Sequence, residues 1–233
     1  MSLPKIESPI YKTFLDSSGL MVSFKPYTVK QEKLLLIAME SEDPNQILET
    51  TINLCQQCLV EDLDVTSLPI QDLEKLMIMI RVKSVGEEVS GMMPCDHCGQ
   101  KTEVAVNLET LRQTSDDSIN KNVMINDKYG LTMKLPSVKD IGLNRINSDM
   151  NYIDIMSYCI DTVFDEENVY SFEDQTEKDR EEFIDSLSSS TVVRIQKEFT
   201  DKLPTNVIDI KYKCPHCGKD NEREVNNVLD FFI

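Results

Sequence analysis

The sequence predicts an α+β fold of two related halves, each a β-hairpin followed by helices, joined by a four-cysteine site like that of a zinc ribbon. Stretches in which apolar and polar residues alternate, as in strands, precede apolar runs that begin at helix-capping residues. The turn Cys-x-His-Cys-Gly occurs twice, at residues 95–99 and 214–218. A length of 233 residues with 40% apolar residues allows one large domain or two small ones with a packed core.

The first half begins with a predicted hairpin at residues 10–26. Gly19 lies in its turn, where a residue with positive φ is favoured. Thr28 and Gln31 have the spacing of a capping box and precede the apolar run LLLIAM. This pattern predicts a helix that begins directly after the hairpin.

Two further helices are predicted in this half. Asp43 and Pro44 are typical of an N-cap and a first helical turn, and the second helix should run to about Val60. The third helix follows Pro69 and should end near Lys83. Alternating residues before and after the first cysteine turn predict a strand on each side of it.

The second half repeats this order in the sequence. A hairpin is predicted with its turn at residues 126–130, and Ser137 and Asp140 again have the spacing of a capping box. Apolar residues at helical spacing predict a helix at 150–163. The remaining predictions are an acidic loop at 165–175, helices at about 176–187 and 190–202, and a strand at 206–213 that enters the second cysteine turn.

The recurring order favours a tandem duplication. Thr28–Gln31 and Ser137–Asp140 share a hydroxyl residue, valine, lysine and an acid or amide, and similar segments follow both cysteine turns. We therefore predict a first repeat at 1–115 and a second repeat at 116–233, each with a hairpin, helices and one knuckle. The alternative is chance, because a cap followed by Val-Lys is a common pattern.

The two cysteine turns predict a structural zinc site. A Cys-x-x-Cys-Gly turn supplies two thiolates that can share a tetrahedral ion, and a closed structural site needs four ligands. The simplest arrangement is one ion bound by Cys95, Cys98, Cys214 and Cys217. Two alternatives remain, namely a pair of metal-free thiol turns and a redox-active pair.

The other candidate ligands are predicted to lie outside the metal site. Cys55 and Cys58 fall in an amphipathic helix, and Cys159 in another, so core packing is the favoured interpretation. His97 and His216 directly precede the second cysteine of each turn. Their rings cannot easily reach an ion held by both flanking cysteines, so they are predicted to be exposed.

Composition and motifs argue against several functional classes. A net charge of -17 disfavours nucleic-acid binding. No serine, cysteine or histidine constellation, carboxylate pair or glycine-rich phosphate loop predicts catalysis or a small-molecule substrate. No apolar run is long enough for a membrane span, and the N-terminus lacks a secretory signal, so we expect a protein made and kept in the cytosol.

Four short segments match those of a known family, namely Phe24-Lys25-Pro26-Tyr27, Glu32-Lys33-Leu34-Leu35, Asp72-Leu73-Glu74 and Arg81-Val82-Lys83-Ser84. In these segments the chain resembles the baseplate hub and hub assembly proteins of T4-like contractile-tailed phages. The resemblance is clearest at residues 3–110 and looser in the remainder. It contains no catalytic motif, and no functional residue is carried over from the family.

The resemblance implies a non-enzymatic structural or assembly protein of the phage tail. Its expected partners are other baseplate, hub or tail proteins, and its expected location is the tail baseplate of the virion after assembly in the host cytoplasm. One alternative is a tail assembly chaperone that is absent from the mature virion. Another is a zinc-ribbon nucleic-acid-binding protein, which the acidic composition disfavours.

Overall fold

The computed structural model describes residues 7–142 and 150–226. Its mixture of helices and sheets confirms the predicted α+β class. The chain forms two compact units: the first comprises residues 1–114 and 205–233, and the second comprises residues 115–204. The second unit is therefore inserted between two segments of the first. No helix in the described part of the chain is both long and apolar enough to cross a bilayer.

The first unit contains a hairpin, three helices and two hairpins that carry the cysteine turns. Its helices are α1 (Val29–Glu40), α2 (Pro44–Cys58) and α3 (Ile70–Val85). Its strands before the insertion are β1 (Tyr11–Leu15), β2 (Leu20–Phe24), β3 (Glu88–Pro94), β4 (Lys101–Asn107) and β5 (Arg112–Gln113). Strands β10 (Asn206–Lys213) and β11 (Asp220–Val225) follow the insertion.

The predicted caps of α1 and α2 are confirmed. Thr28 and Gln31 form a capping box, in which the Thr28 amide donates to Gln31 Oε1 over 2.7 Å. Asp43 accepts a hydrogen bond from the Asn45 amide over 3.0 Å, with Pro44 at the first helical position. Each cap satisfies an amide that has no partner inside its helix, which explains why these helices begin there.

A buried carboxylate attaches the β1–β2 turn to α3. Asp72 is fully buried in the first turn of α3. It accepts hydrogen bonds from the amides of Ser17 and Ser18 over 3.0 Å and 2.7 Å. A buried charge requires such partners, so the hairpin turn and the helix stabilise one another.

The two cysteine hairpins pack on α3 through a shared apolar core. Strands β3 and β4 pair antiparallel, and β10 lies between β11 and β5 in a three-stranded sheet. Because apolar side chains of α3, β4 and β10 meet, the two hairpins are held on the same part of the first unit. The buried members of this core are Ile78, Val82, Val104, Val106, Leu108, Leu111, Ile208 and Ile210.

The second unit is a four-stranded antiparallel sheet with helices. The sheet order is β6-β7-β8-β9. Its strands are β6 (Asn122–Met124), β7 (Gly130–Met133), β8 (Ile160–Phe164) and β9 (Val169–Ser171). Its helices are α4 (Val138–Ile141), α5 (Tyr152–Tyr158), α6 (Glu177–Ser186) and α7 (Ser189–Glu198). The Ser137–Asp140 capping box at α4 is confirmed, and residues 143–149 lie outside the described range.

Part of the secondary structure predicted for this unit is wrong. The helix expected at 150–163 ends at Tyr158, and Ile160–Phe164 forms β8 paired with β7. The region expected to be an acidic loop contains β9, which extends the sheet. The helix expected at 190–202 ends at Glu198 and is followed by a short 3₁₀ turn.

The compact units follow other boundaries than the predicted repeats. The second cysteine hairpin belongs to the first unit, in which its apolar side chains share a core with those of α3 and β4. Both halves of the sequence still begin with a hairpin and a capped helix and end with a cysteine hairpin. Compact units are defined by contacts between residues, whereas a tandem duplication is a statement about ancestry. The units therefore do not test the duplication, which stays a prediction. Residues 227–233, which contain part of the matched segment after the second turn, lie outside the described range.

Candidate metal centre

The structure brings the four predicted ligands together. The sulfur atoms of Cys95, Cys98, Cys214 and Cys217 all lie within 4.8 Å of one another. Cys95 and Cys217 are separated by 3.7 Å between sulfurs, and Cys98 and Cys214 by 3.8 Å. Zn–S bonds of about 2.3 Å in a tetrahedron require sulfurs about 3.8 Å apart. The arrangement is therefore compatible with a tetrahedral metal site.

Each turn is shaped by the same pair of backbone hydrogen bonds. In the first, the Cys95 amide donates to the Gln100 carbonyl over 3.0 Å and the Gly99 amide donates to the Cys95 carbonyl over 2.9 Å. In the second, the amides of Cys214 and Gly218 make the equivalent bonds, both of 2.9 Å. Gly99 and Gly218 have φ of 73° and 70°, a conformation that favours glycine. The shared sequence thus produces two turns of the same geometry.

Backbone amides directed at the sulfurs affect their ionisation. Burial raises the pKa of Cys95, but hydrogen bonds from the amides of His97 and Cys98 and from the neighbouring thiols of Cys217 and Cys214 together lower it to about 6. The same balance of burial and amide donors places the pKa of Cys214 below its ordinary value. At Cys98 an amide donor lowers the pKa, yet desolvation and the neighbouring sulfurs raise it to about 11. Close sulfurs thus oppose full ionisation of the group, and a divalent cation offsets that repulsion.

Protein hydrogen bonds also join the two cysteine hairpins directly. The Tyr212 hydroxyl donates to the Pro94 carbonyl over 2.8 Å. The Asp96 amide donates to Asn221 Oδ1 over 2.9 Å, and the Arg223 guanidinium forms an ion pair with the Asp96 carboxylate. The hairpins are therefore positioned by contacts other than those of the sulfurs.

The histidines are exposed, as predicted. His97 and His216 lie on the solvent side of the turns, outside the group of sulfurs. One ring nitrogen of His97 lies 3.2 Å from the carbonyl oxygen of Asp220 in the opposite hairpin. His97 thus contacts the second hairpin with its side chain, which sequence reasoning missed.

The remaining cysteines are buried, as predicted. Cys55 and Cys58 lie within the core on α2, and Cys159 caps the end of α5 rather than lying inside a helix. Burial raises the pKa of Cys58 to about 11 and that of Cys159 to about 12. Among the described residues, no second group of three or more histidine, cysteine, aspartate or glutamate side chains is close enough to bind one ion.

Comparisons with known proteins identify relatives along nearly the whole chain. Residues 8–233 match the family described as T4 bacteriophage base plate protein. The chain is 24% identical over 223 residues to the protein named baseplate hub assembly protein gp26 of Enterobacteria phage T4, covering 95% of this chain and 97% of that relative. No solved structure shows significant similarity. The family match extends over both units, and the chain belongs to the T4 bacteriophage base plate protein family.

Proposed function

We propose that the protein is a non-enzymatic structural or assembly component of a phage tail baseplate hub that acts through contacts with other baseplate, hub or tail proteins. The observation that carries this proposal is the correspondence with a hub assembly protein over 95% of the chain. Because the correspondence includes both units and nearly the full relative, a shared role for the whole protein is favoured over a shared module. We further propose that it is made in the host cytoplasm and acts at the tail baseplate.

Exposed apolar side chains on α1 support a role in protein contacts. About half or more of each of these side chains is exposed, although α1 also packs on α2. Several such residues on one helix favour association with another protein. They are Val29, Leu34, Leu36 and Ile37.

We also propose that the four cysteines bind one structural zinc ion. Zinc suits thiolate ligands in tetrahedral geometry, and a site closed by four cysteines has no open position for a substrate. The sulfur separations of 3.7 Å and 3.8 Å support this assignment. The ion would connect Cys95 and Cys98, before the inserted unit, to Cys214 and Cys217 after it.

A second candidate role is that of an assembly chaperone that leaves before the virion matures. This alternative is supported by the name of the phage T4 relative, which describes that relative as a hub assembly protein. Nucleic-acid binding is disfavoured by the net charge of -17, which repels phosphate.

Disrupting the gene in the producing phage tests the proposal. We expect lysates that lack complete baseplates under negative-stain electron microscopy, with recovery when the protein is supplied from a plasmid. Mass spectrometry of purified wild-type particles then separates the two roles. Peptides at a fixed ratio to other tail proteins support a structural component, and their absence supports an assembly chaperone. Normal infectious tails after disruption would contradict both.

A further inference from the structure

One of the sequence differences between the two cysteine hairpins lies in the strand that follows each turn. Counted from the first cysteine of each turn, Thr102 in β4 occupies the same position as Asn221 in β11. The backbone of the turns is the same on both sides, so a difference at this position changes how each turn is held by the opposite hairpin.

Asn221 links the two turns with both ends of its amide. It is 5% exposed. Its Oδ1 accepts the Asp96 amide of the first turn over 2.9 Å, and its Nδ2 donates to the Lys219 carbonyl of the second turn over 3.1 Å. That same carbonyl accepts the Cys214 amide. One side chain therefore connects the residue after Cys95 to the hydrogen bond that closes the turn of Cys214.

Thr102 lacks the corresponding link. Its hydroxyl oxygen is buried and finds no hydrogen-bond partner within the part of the chain that the structure describes. The equivalent of Asp96 in the second turn is Pro215, which has no amide hydrogen to donate. A side chain of the second hairpin thus holds the first turn, whereas the equivalent side chain of the first hairpin, Thr102, does not hold the second turn.

We propose that Asn221 is a positioning residue of the metal centre, which holds the first cysteine turn against the second before an ion binds. This inference rests on the proposed zinc site. Groups outside the ligand shell that orient ligands commonly change metal affinity by about 10–100-fold. A turn fixed in advance also loses less conformational freedom when the ion binds, which favours binding. The Tyr212–Pro94 hydrogen bond holds the strands, whereas Asn221 holds the turn.

The test compares two nearly isosteric substitutions at the equivalent positions. Asn221→Leu removes both hydrogen bonds of the link, and Thr102→Val removes a hydroxyl that makes none. The zinc affinity of the full-length chain is measured by competition with a chromophoric chelator, in buffer without denaturant. Circular dichroism under the same conditions checks that each variant is folded. We expect about tenfold or more weaker binding for Asn221→Leu and a change of less than about twofold for Thr102→Val.

Two further readouts separate positioning from general stability. In metal-free parent protein, the Asp96 amide should exchange slowly with solvent, and Asn221→Leu should remove that protection while distant core amides stay protected. The Co²⁺-loaded form of Asn221→Leu should show altered visible absorption bands. Equal affinity in parent and Asn221→Leu, or an equal loss in both variants, would overturn the inference. A parent that binds neither Zn²⁺ nor Co²⁺ would instead overturn the proposed metal site.

Discussion

The sulfur of Cys95 lies 3.7 Å from that of Cys217, although the two residues are 122 positions apart in the sequence. The chain leaves the first unit at Thr114, forms the second unit and returns at Thr205. On return, the buried side chain of Asn206 donates hydrogen bonds to the Gln71 carbonyl and the Glu74 carboxylate of α3 over 2.6 Å and 2.7 Å. Asn206 therefore attaches the start of β10, the strand that leads into the second cysteine turn, to α3.

Glu74 gives this attachment a pH dependence. Burial raises the pKa of Glu74, and the hydrogen bond from Asn206 opposes that rise only in part. The folded protein then holds the Glu74 proton more tightly than the unfolded chain, so this residue's contribution to stability falls as pH rises through the raised pKa. Glu74→Gln keeps an oxygen acceptor without the charge. We expect the variant to be more stable than the parent at pH 7.

The gain from Glu74→Gln should shrink as the pH is lowered towards about 4, where the parent side chain is also neutral. Urea unfolding between pH 4 and pH 8 measures this trend, with Glu49→Gln on the exposed side of α2 as a control that should change little. A variant less stable than the parent at pH 7 would contradict the prediction.

Asp72 should stabilise the protein far more than the neighbouring exposed acid. Asp72→Ala leaves the amides of Ser17 and Ser18 without their buried acceptor, and we expect a loss of about 2 to 3 kcal/mol in unfolding free energy. Asp16→Ala removes a partly exposed ion pair with Lys75 and should cost less than about 1 kcal/mol. Urea denaturation of both variants gives the comparison. Similar losses in the two would show that Asp72 does not anchor the hairpin turn as described.

The cysteines of α2 should affect packing and not metal content. Cys55 and Cys58 are both buried in the core of the first unit. Their double replacement by alanine should leave the zinc content unchanged and lower the stability by about 1 to 2 kcal/mol, because buried volume is lost. Elemental analysis and urea unfolding test both parts. Loss of zinc in this variant would assign these thiols a role in metal binding.

The elements that sequence reasoning predicted correctly have local causes. The caps at Thr28, Asp43 and Ser137 pair with groups a few residues away, and the glycine in each cysteine turn supplies a positive φ at its own position. Short sequence patterns therefore suffice to find them. Strand β8 was missed because Ile153, Met156, Ile160 and Val163 also have helical spacing. The structure places the last two in a strand because they pair with β7, a contact that no local pattern contains.

The candidate site was also predictable only where its residues form a local sequence pattern. Cysteine spacing predicted which four sulfurs lie together, since each pair lies within a few residues. The links made by Asn221 and Tyr212 join residues far apart in the sequence, and an isolated asparagine or tyrosine carries no signal of such a contact. The compact units have other boundaries than the predicted repeats because β10 packs with a helix more than a hundred residues before it.

A site shared between the two turns predicts non-additive losses of metal. Cys98 and Cys217 come from opposite hairpins, so Cys98→Ser and Cys217→Ser should cause the same defect, and the double variant should be little worse than either. Cys159→Ser is a matched control, because Cys159 is buried in the second unit and is not a member of this group of sulfurs.

Zinc content per chain, measured by elemental analysis of the parent, Cys98→Ser, Cys217→Ser and their double variant, tests the shared site most directly. The account predicts one zinc ion per parent chain and none in any of the three variants, with the content of Cys159→Ser unchanged. Two ions per parent chain with each single variant losing one, or a parent without zinc, would contradict it.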